Sequence, residues 1–451
     1  MSRATAASLA IVPAFALLVG TALSYSSQSG AMTPGWPVLG PVMAAGLAPV
    51  LTAVLLPLLA PGFDRVLLAS AAMLTTIGTA ALVNVSSSAT SGDEFYASIV
   101  ARHGSFVAGG FAFLLLGAVA ARHLDRVRAY PLTLLALSLA LTTATILRGE
   151  VVNGARLWLS VGPLRFQPSE IGRLLLALFV AVYLYERRHL VSSAWRVRSI
   201  DLPPAPYLIP LAAAILSAIA VLALQNDLGM AALIALGVAA SVIGVGRSRL
   251  LSMTAAAFLV TAGIGSYVAV PRVRDRVAGW LDPWADPAGR GFQFVQSEYV
   301  FAAGSLAGGA TGSPTRNVPE VHTDLILNAV GGHFGLLGSL GALAISGLLV
   351  CRCVLVGLRT RDGFRAMVAF TIAALLGVQI VLIVGGTTRV LPLTGLTFPL
   401  LSYGGTSMIV SLFAVGIELG IGTRGGAVQV RRSPMLGSMS AIGGVRSTSL
   451  H

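Results

Sequence analysis

From Tyr207 to Leu224 the chain runs through eighteen consecutive residues without a charge, and from Pro131 to Leu147 through seventeen. A helix at the surface of a globular domain alternates polar and apolar faces with a period near 3.6, so it does not produce such runs in series. A helix needs about 20 mostly apolar residues to cross the hydrocarbon core of a bilayer. Runs of this kind recur about twelve times, near residues 6–23, 38–60, 66–85, 106–120, 131–147, 171–185, 207–224, 228–245, 250–270, 325–350, 367–385 and 401–421. The chain is 55% hydrophobic and 10% charged, whereas soluble domains carry roughly 25% charged residues. A soluble globular enzyme is excluded. Strands of a membrane barrel alternate residue by residue, and these runs do not. The expected fold is therefore all-α: a polytopic integral membrane helical bundle of about twelve transmembrane helices, with a long extracytoplasmic loop between spans 9 and 10.

The formal charge of +13 comes from 30 basic residues, all arginine, against 17 acids. Their placement argues for a membrane and against nucleic acid. With spans counted in order, nineteen arginines fall on the amino-terminal side of the membrane and ten on the other, and Arg173 lies within a span. The positive-inside rule then places both termini in the cytoplasm of a multi-pass protein of the cell membrane. The apolar run after Met1-Ser2-Arg3 is expected to be a retained anchor, since no small-residue cleavage site precedes the next span. Cys351 and Cys353 are the only cysteines. They are expected to be reduced thiols at the inner boundary, with no disulfide framework. The segment 425–451, rich in Gly, Ser and Arg, is expected to be a disordered cytoplasmic tail whose arginines touch membrane lipids.

Four stretches break the apolar rhythm: Asn153 to Glu170, Gln225 to Gly229, Pro271 to Asp324, and Gly385 to Ser407. They follow the fifth, seventh, ninth and eleventh apolar runs, so parity places all four on one face. With the termini inside, that face is extracytoplasmic. Long structured loops commonly carry function.

In the first stretch, Pro168, Ser169 and Glu170 read as a helix start with an acid suited to the dipole. Arg173 lies one turn further in, where an unpaired cation is costly, and Glu170 at the i,i+3 spacing is its expected partner. Trp158 reads either as an interfacial belt aromatic or, beside Arg156, as a contact for a lipid-linked substrate. Asp227 in the second stretch is either a helix cap or a functional intramembrane acid.

The third stretch ends in Pro319-Glu320-Val321-His322-Thr323-Asp324, two carboxylates and an imidazole within six residues. A helix cap from Thr323 or Asp324 is the plain reading, but a cap needs neither Glu320 nor His322. A helix N-terminus would lower the pKa of Asp324 and keep it an ionised acceptor able to serve as a general base. The loop also supplies Arg272, Arg274, Arg276, Arg290 and Arg316. They serve either a phosphate or salt bridges with the loop's own acids. In the fourth stretch, Arg389 and Ser402-Tyr403-Gly404-Gly405 combine a cation with glycines beside a helix start, an arrangement that lets backbone N–H groups approach an anion.

Taken in order, these residues resemble the SEDS family (shape, elongation, division and sporulation proteins, the RodA, FtsW and SpoVE group), in a pattern similar to actinobacterial RodA-like members. The resemblance covers roughly residues 148 to 422. It rests on Gly154-Ala155-Arg156 with Trp158, Phe166-Gln167-Pro168-Ser169-Glu170, Asp227-Leu228-Gly229, Gly291-Phe292-Gln293, Pro319-Glu320 with His322-Thr323-Asp324, Pro399, and Ser402-Tyr403-Gly404-Gly405. It implies a division into residues 1–130, amino-terminal spans including two beyond the family's usual ten, and 131–424, the family core, with 271–324 as the catalytic loop.

The resemblance also implies a peptidoglycan glycosyltransferase that polymerises lipid II onto a lipid-linked glycan chain, in elongation, division or sporulation, with a class B penicillin-binding transpeptidase as partner. The family's essential carboxylate falls on Asp324 and its loop tryptophan on Trp158. Arg156, Arg316 and Arg389 become candidates for holding the pyrophosphate, with or without a divalent cation (Mg2+ or Mn2+). Glu320, His322, Ser402, Gly404 and Gly405 join them as substrate-binding candidates, and Glu170, Arg173 and Asp227 form the intramembrane polar set. No residue pattern assigns a metal ligand or requires a cofactor. One departure stands out: the family's Glu-Glu pair after Asp324 is replaced by Gly332-His333. Two other readings remain open, a lipid II flippase using Glu170, Arg173, Asp227 and Glu418 as a path, and a non-catalytic scaffold for a transpeptidase.

Overall fold

The computed structural model describes residues 36–88, 94–152, 154–162, 164–187, 195–197, 200–202, 205–245, 249–308, 315 and 318–425. The expected first span at 6–23, the tail 426–451 and Arg316 lie outside the described residues. The other eleven apolar runs are all helical. They form α1 (Trp36–Leu59), α2 (Arg65–Ser88), α3 (Glu94–Ala120), α5 (Pro131–Arg148), α6 (Pro168–Glu186), α7 (Ala205–Leu224), α8 (Leu228–Val245), α9 (Arg249–Ala269), α12 (Ile326–Arg359), α13 (Gly363–Thr387) and α14 (Gly405–Gly425), with a short α4 (Leu124–Arg128) after α3. Among the described residues, eight helices are long and apolar enough to cross a membrane. A ninth arises if α9 and the helix after it, α10 (Pro271–Leu281), are counted as one bent span. Leu208–Leu224 and Leu228–Gly244 are shorter apolar helices. The protein is thus a multi-pass helical bundle, and its apolar runs are not twelve equivalent spans.

The expectation of helices alone missed two small sheets. β1 (Glu150–Val152), β2 (Ala155–Val161) and β3 (Leu164–Phe166) form an antiparallel sheet in that order. Glu150 pairs with Trp158, and Leu159 with Phe166. A second hairpin joins β4 (Trp195–Val197) to β5 (Ile200–Leu202).

Without a hydrophobic drive between helices in lipid, close association depends on small residues that let backbones approach. α14 packs along α3, and α1 covers another side of α3. The helices are close enough that a Cβ built at Gly416 would fall on the Leu114 carbonyl, and one at Gly117 on the Phe413 carbonyl. Gly109, also on α3, has open space around it. Gly416→Ala is therefore expected to destabilise the purified protein by about 1–3 kcal/mol, the usual range for overpacking, read as a lower unfolding temperature in detergent. Gly109→Ala is the control and should leave that temperature in place; equal effects at both sites would refute the seam. α12 packs on α2 in the same way that α14 packs on α3, so helices on either side of residue 130 form one interior.

Two breaks shape the end of the bundle that carries the unusual stretches. α10 leaves α9 at 102°, with Pro271 at its first turn. The second break is inside α12, where Gly335 has φ 68°, a conformation that only glycine adopts at little cost. The amides of Leu336 and Leu337, freed by the break, donate to the carbonyls of Ser305 (3.0 Å) and Leu306 (3.0 Å) at the end of α11 (Phe292–Gly304). A Cβ built at Gly304 would fall on the Gly331 carbonyl. Gly332-His333 thus sits in a seam of close backbone contact.

Candidate active site

The structure brings the four stretches together. Arg156 N donates to the Gln225 carbonyl (3.3 Å), and Asn226 Nδ2 (3.1 Å) and Arg272 Nη1 (3.4 Å) donate to the Gly154 carbonyl. The sheet, the α7–α8 turn and α10 therefore meet. Gln167 N donates to Thr406 Oγ1 (3.0 Å), which joins the start of α6 to the start of α14.

The segment before α12 is a tight turn. The amides of Thr323 and Leu325 donate to the Glu320 carbonyl (3.1 and 3.2 Å), and Glu320 itself has φ 53°. A second loop grips this turn from the side. Ser402 Oγ donates to the Thr323 carbonyl (2.6 Å) and accepts from Phe398 N (2.8 Å), and Tyr403 N donates to the His322 carbonyl (2.9 Å). The His322 ring lies between Phe95 and Tyr403, each at 5.8 Å, and its Nε2 stands 3.8 Å from Glu320 Oε2. Burial lowers the His322 pKa, with Glu320 opposing.

Asp324 is half-buried at the centre of this frame. Its Oδ2 and Arg276 Nη2 face the same point of backbone, 3.4 and 3.5 Å from a Cβ built at Gly395, and Arg276 Nη1 donates to the Thr394 carbonyl (3.0 Å). Gly395 has φ 74°, so the loop turns here without a side chain between acid and cation. Burial first, then the Glu320 carboxylate, push the Asp324 carboxyl up to about 7, against the pull of Arg276. This corrects the expectation of a lowered pKa. α12 begins at Ile326 with Leu325 in the cap position and no side-chain cap, so Asp324 is not held as an ionised N-cap and desolvation decides.

Asp227 does cap a helix: its Oδ1 accepts from Met230 N (3.1 Å). Burial pushes its carboxyl up to about 6, with the Met230 amide opposing. Glu170 and Arg173 form the expected ion pair at 2.7 Å, both almost fully buried. Arg173 reaches further than its sequence neighbours suggested. Its Nη1 donates to Gln379 Oε1 (2.5 Å) and Nη2 to Ser411 Oγ (3.2 Å), and Gln379 Nε2 donates to the Thr397 carbonyl (2.7 Å). The intramembrane pair is thereby wired to the loop that grips the Asp324 turn.

The remaining candidates are placed differently. Arg389 is engaged by protein: Nη1 on Glu298 (3.0 Å), Nε on the Trp280 carbonyl (3.2 Å) and Nη2 on the Leu281 carbonyl (3.2 Å). Gly404 packs on Thr397 and Gly405 on the Phe106 ring, close contacts that explain both glycines. Trp158 is half-buried on β2 with Arg165 over its ring at 5.2 Å, and exposed Arg156 donates to the Ile146 carbonyl (3.1 Å). Cys353 is fully buried and Cys351 exposed, so only the latter is the expected interfacial thiol. Among the described residues, no three His, Cys, Asp or Glu side chains form a group that could hold a metal. The residue that sequence reasoning did not single out is Arg276, which among the described loop arginines is the one that faces Asp324.

The chain is similar to known proteins over most of its length. The family model FTSW_RODA_SPOVE, described as cell cycle protein, matches residues 64–424. The peptidoglycan glycosyltransferase RodA of Mycobacterium tuberculosis is 34% identical over 268 residues, 59% of this chain but only 57% of that protein's length. The probable peptidoglycan glycosyltransferase FtsW of Geobacter metallireducens is 33% identical over 371 residues, 80% of this chain and 95% of that one. A solved chain from work on a peptidoglycan synthase complex that coordinates polymerization and crosslinking superimposes with a TM-score of 0.64 at 31% identity, covering 81% of this chain and 99% of its own.

Proposed function

The chain belongs to the FtsW/RodA/SpoVE family, and from that premise we propose that it is a peptidoglycan glycosyltransferase acting on lipid II. The observation that carries the reading is Asp324, a carboxyl whose pKa burial pushes up to about 7, set beside a half-buried guanidinium and held by a clamped turn at the polar end of the bundle. A general base works best when its pKa lies near the working pH, because it is then both available and strong enough to take a proton. In each step the acceptor sugar hydroxyl loses its proton to Asp324 as its oxygen attacks the anomeric carbon of the donor. The bond to the lipid pyrophosphate breaks on the opposite face, as in an inverting displacement. Arginines near the turn stabilise the departing phosphates. The bias of arginine toward the other end supports placing this end outside the cytoplasmic membrane with both termini inside. The relative from a complex that coordinates polymerization and crosslinking supports a transpeptidase partner.

Purified protein, with its partner transpeptidase, is expected to extend labelled lipid II into glycan chains resolved on a gel. Because the carboxylate is the active form and its pKa is raised to about 7, the rate should climb with pH through the neutral range and level off above it. Transfer of lipid II between leaflets without polymerisation would replace this reading with transport. Neither activity in the presence of the partner would leave a scaffold.

A further inference from the structure

Thr394 and Gly395 are where three parts of the chain meet. Arg276 Nη1 is anchored on the Thr394 carbonyl, Asp324 Oδ2 and Arg276 Nη2 bracket Gly395, and α8 presses on the same carbonyl through Gly229, where a built Cβ would fall on Thr394 O. Asp227 precedes that glycine by two residues. One of its oxygens caps α8, and Ser169 stands as a side-chain donor to the same buried carboxyl. A buried carboxylate with few donors is stabilised further by a nearby cation.

On the reading of Asp324 as the base, we propose that Arg276 is a positioning residue shared between Asp324 and Asp227, so that Asp227 sets the pH at which Asp324 becomes a working base. Among the described residues, the charged groups facing these carboxyls are few. Glu320 and Arg276 face Asp324, Glu170 and Arg276 face Asp227, Arg272 stands beside Arg276 one helical turn away, and His322 adjoins Glu320. Glu170 is already matched by Arg173. Arg276 is therefore the cation placed between the two acids, and each acid draws on it: Asp324 and Asp227 both support its charged form against burial and Arg272.

The two substitutions should move the pH profile in opposite directions. Asp227→Asn keeps an oxygen that can accept from the Met230 amide. It also removes a repelling charge and leaves Arg276 to Asp324 alone, so the rising limb of the polymerisation rate should move to lower pH by about 1. Arg276→Gln should move it to higher pH by a larger amount, since Arg276 acts on Asp324 more strongly than Asp227 does, and Arg276→Lys, which keeps the charge, should hold it near the wild-type position. A merely structural role would lower the rate at every pH without displacing the limb. The proposal is overturned if Asp227→Asn leaves the limb in place or raises it, or if both variants move it in the same direction.

A second readout is independent of turnover. Infrared titration of the full chain, with the Asp324 carboxyl band assigned by its loss in Asp324→Asn, should show the same opposite displacements. If the band titrates as described while lipid II is not polymerised, the glycosyltransferase reading fails and the Asp227–Arg276–Asp324 coupling stands. If polymerisation occurs and the band does not respond, only the coupling fails.

Discussion

Asp324→Asn is expected to lower the rate of glycan polymerisation about 10²–10⁴-fold, the range lost when a positioned general base is removed. The substitution is nearly isosteric and removes the ability to take a proton together with the charge that faces Arg276. The turn that holds residue 324 is built from other groups: the Glu320 carbonyl, Ser402 Oγ and the Tyr403 amide. No helix cap is lost, since α12 has no side-chain cap. The variant should therefore keep the wild-type unfolding temperature while its rate collapses. A rate within threefold of wild type would remove Asp324 from the chemistry, and a lower unfolding temperature in parallel would make the loss one of folding. A raised pKa makes Asp324 a better base than an ionised helix cap would be, so the corrected pKa strengthens the case for general-base work.

The second large effect concerns Arg173. Arg173→Met leaves Glu170, 3% exposed, as an unpaired acid among apolar helices. Breaking a buried pair from one side typically costs about 3–5 kcal/mol, so the variant should unfold at a markedly lower temperature in detergent and accumulate poorly in the membrane. The double variant Glu170→Gln with Arg173→Met buries no charge and should regain much of that stability. It should not regain activity in full, because the bond from Arg173 to Gln379, whose amide holds the Thr397 carbonyl, is still gone. Full activity in the double variant would show that the pair serves stability alone. Stability unaltered in Arg173→Met would show that Glu170 finds another partner.

Much of this architecture was legible before any coordinates. Apolar runs near the length of a bilayer can only be helices in lipid, because each backbone N–H and C=O must be satisfied within the segment. Parity then placed the four polar stretches at one end, where the structure joins them. The i,i+3 spacing of Glu170 and Arg173 was enough to pair them. The sheet at 150–166 was missed because its strands are short and interrupt a sequence dominated by helical runs. Arg389 looked like an anion ligand and serves instead to tie α10 to α11 through Trp280, Leu281 and Glu298.

The apolar helices among the described residues, the shared end of the polar loops and the Glu170–Arg173 pair were thus determined by the sequence itself, since each follows from spacing along the chain and the solvent it crosses. Which of the described loop arginines faces Asp324, which way that carboxyl's pKa moves, and how Arg173 comes to meet Gln379, 206 positions away, were decided only by the tertiary structure. The physical reason is that desolvation and charge pairing depend on distances through space, and those distances are set by how helices far apart in sequence pack their small residues together.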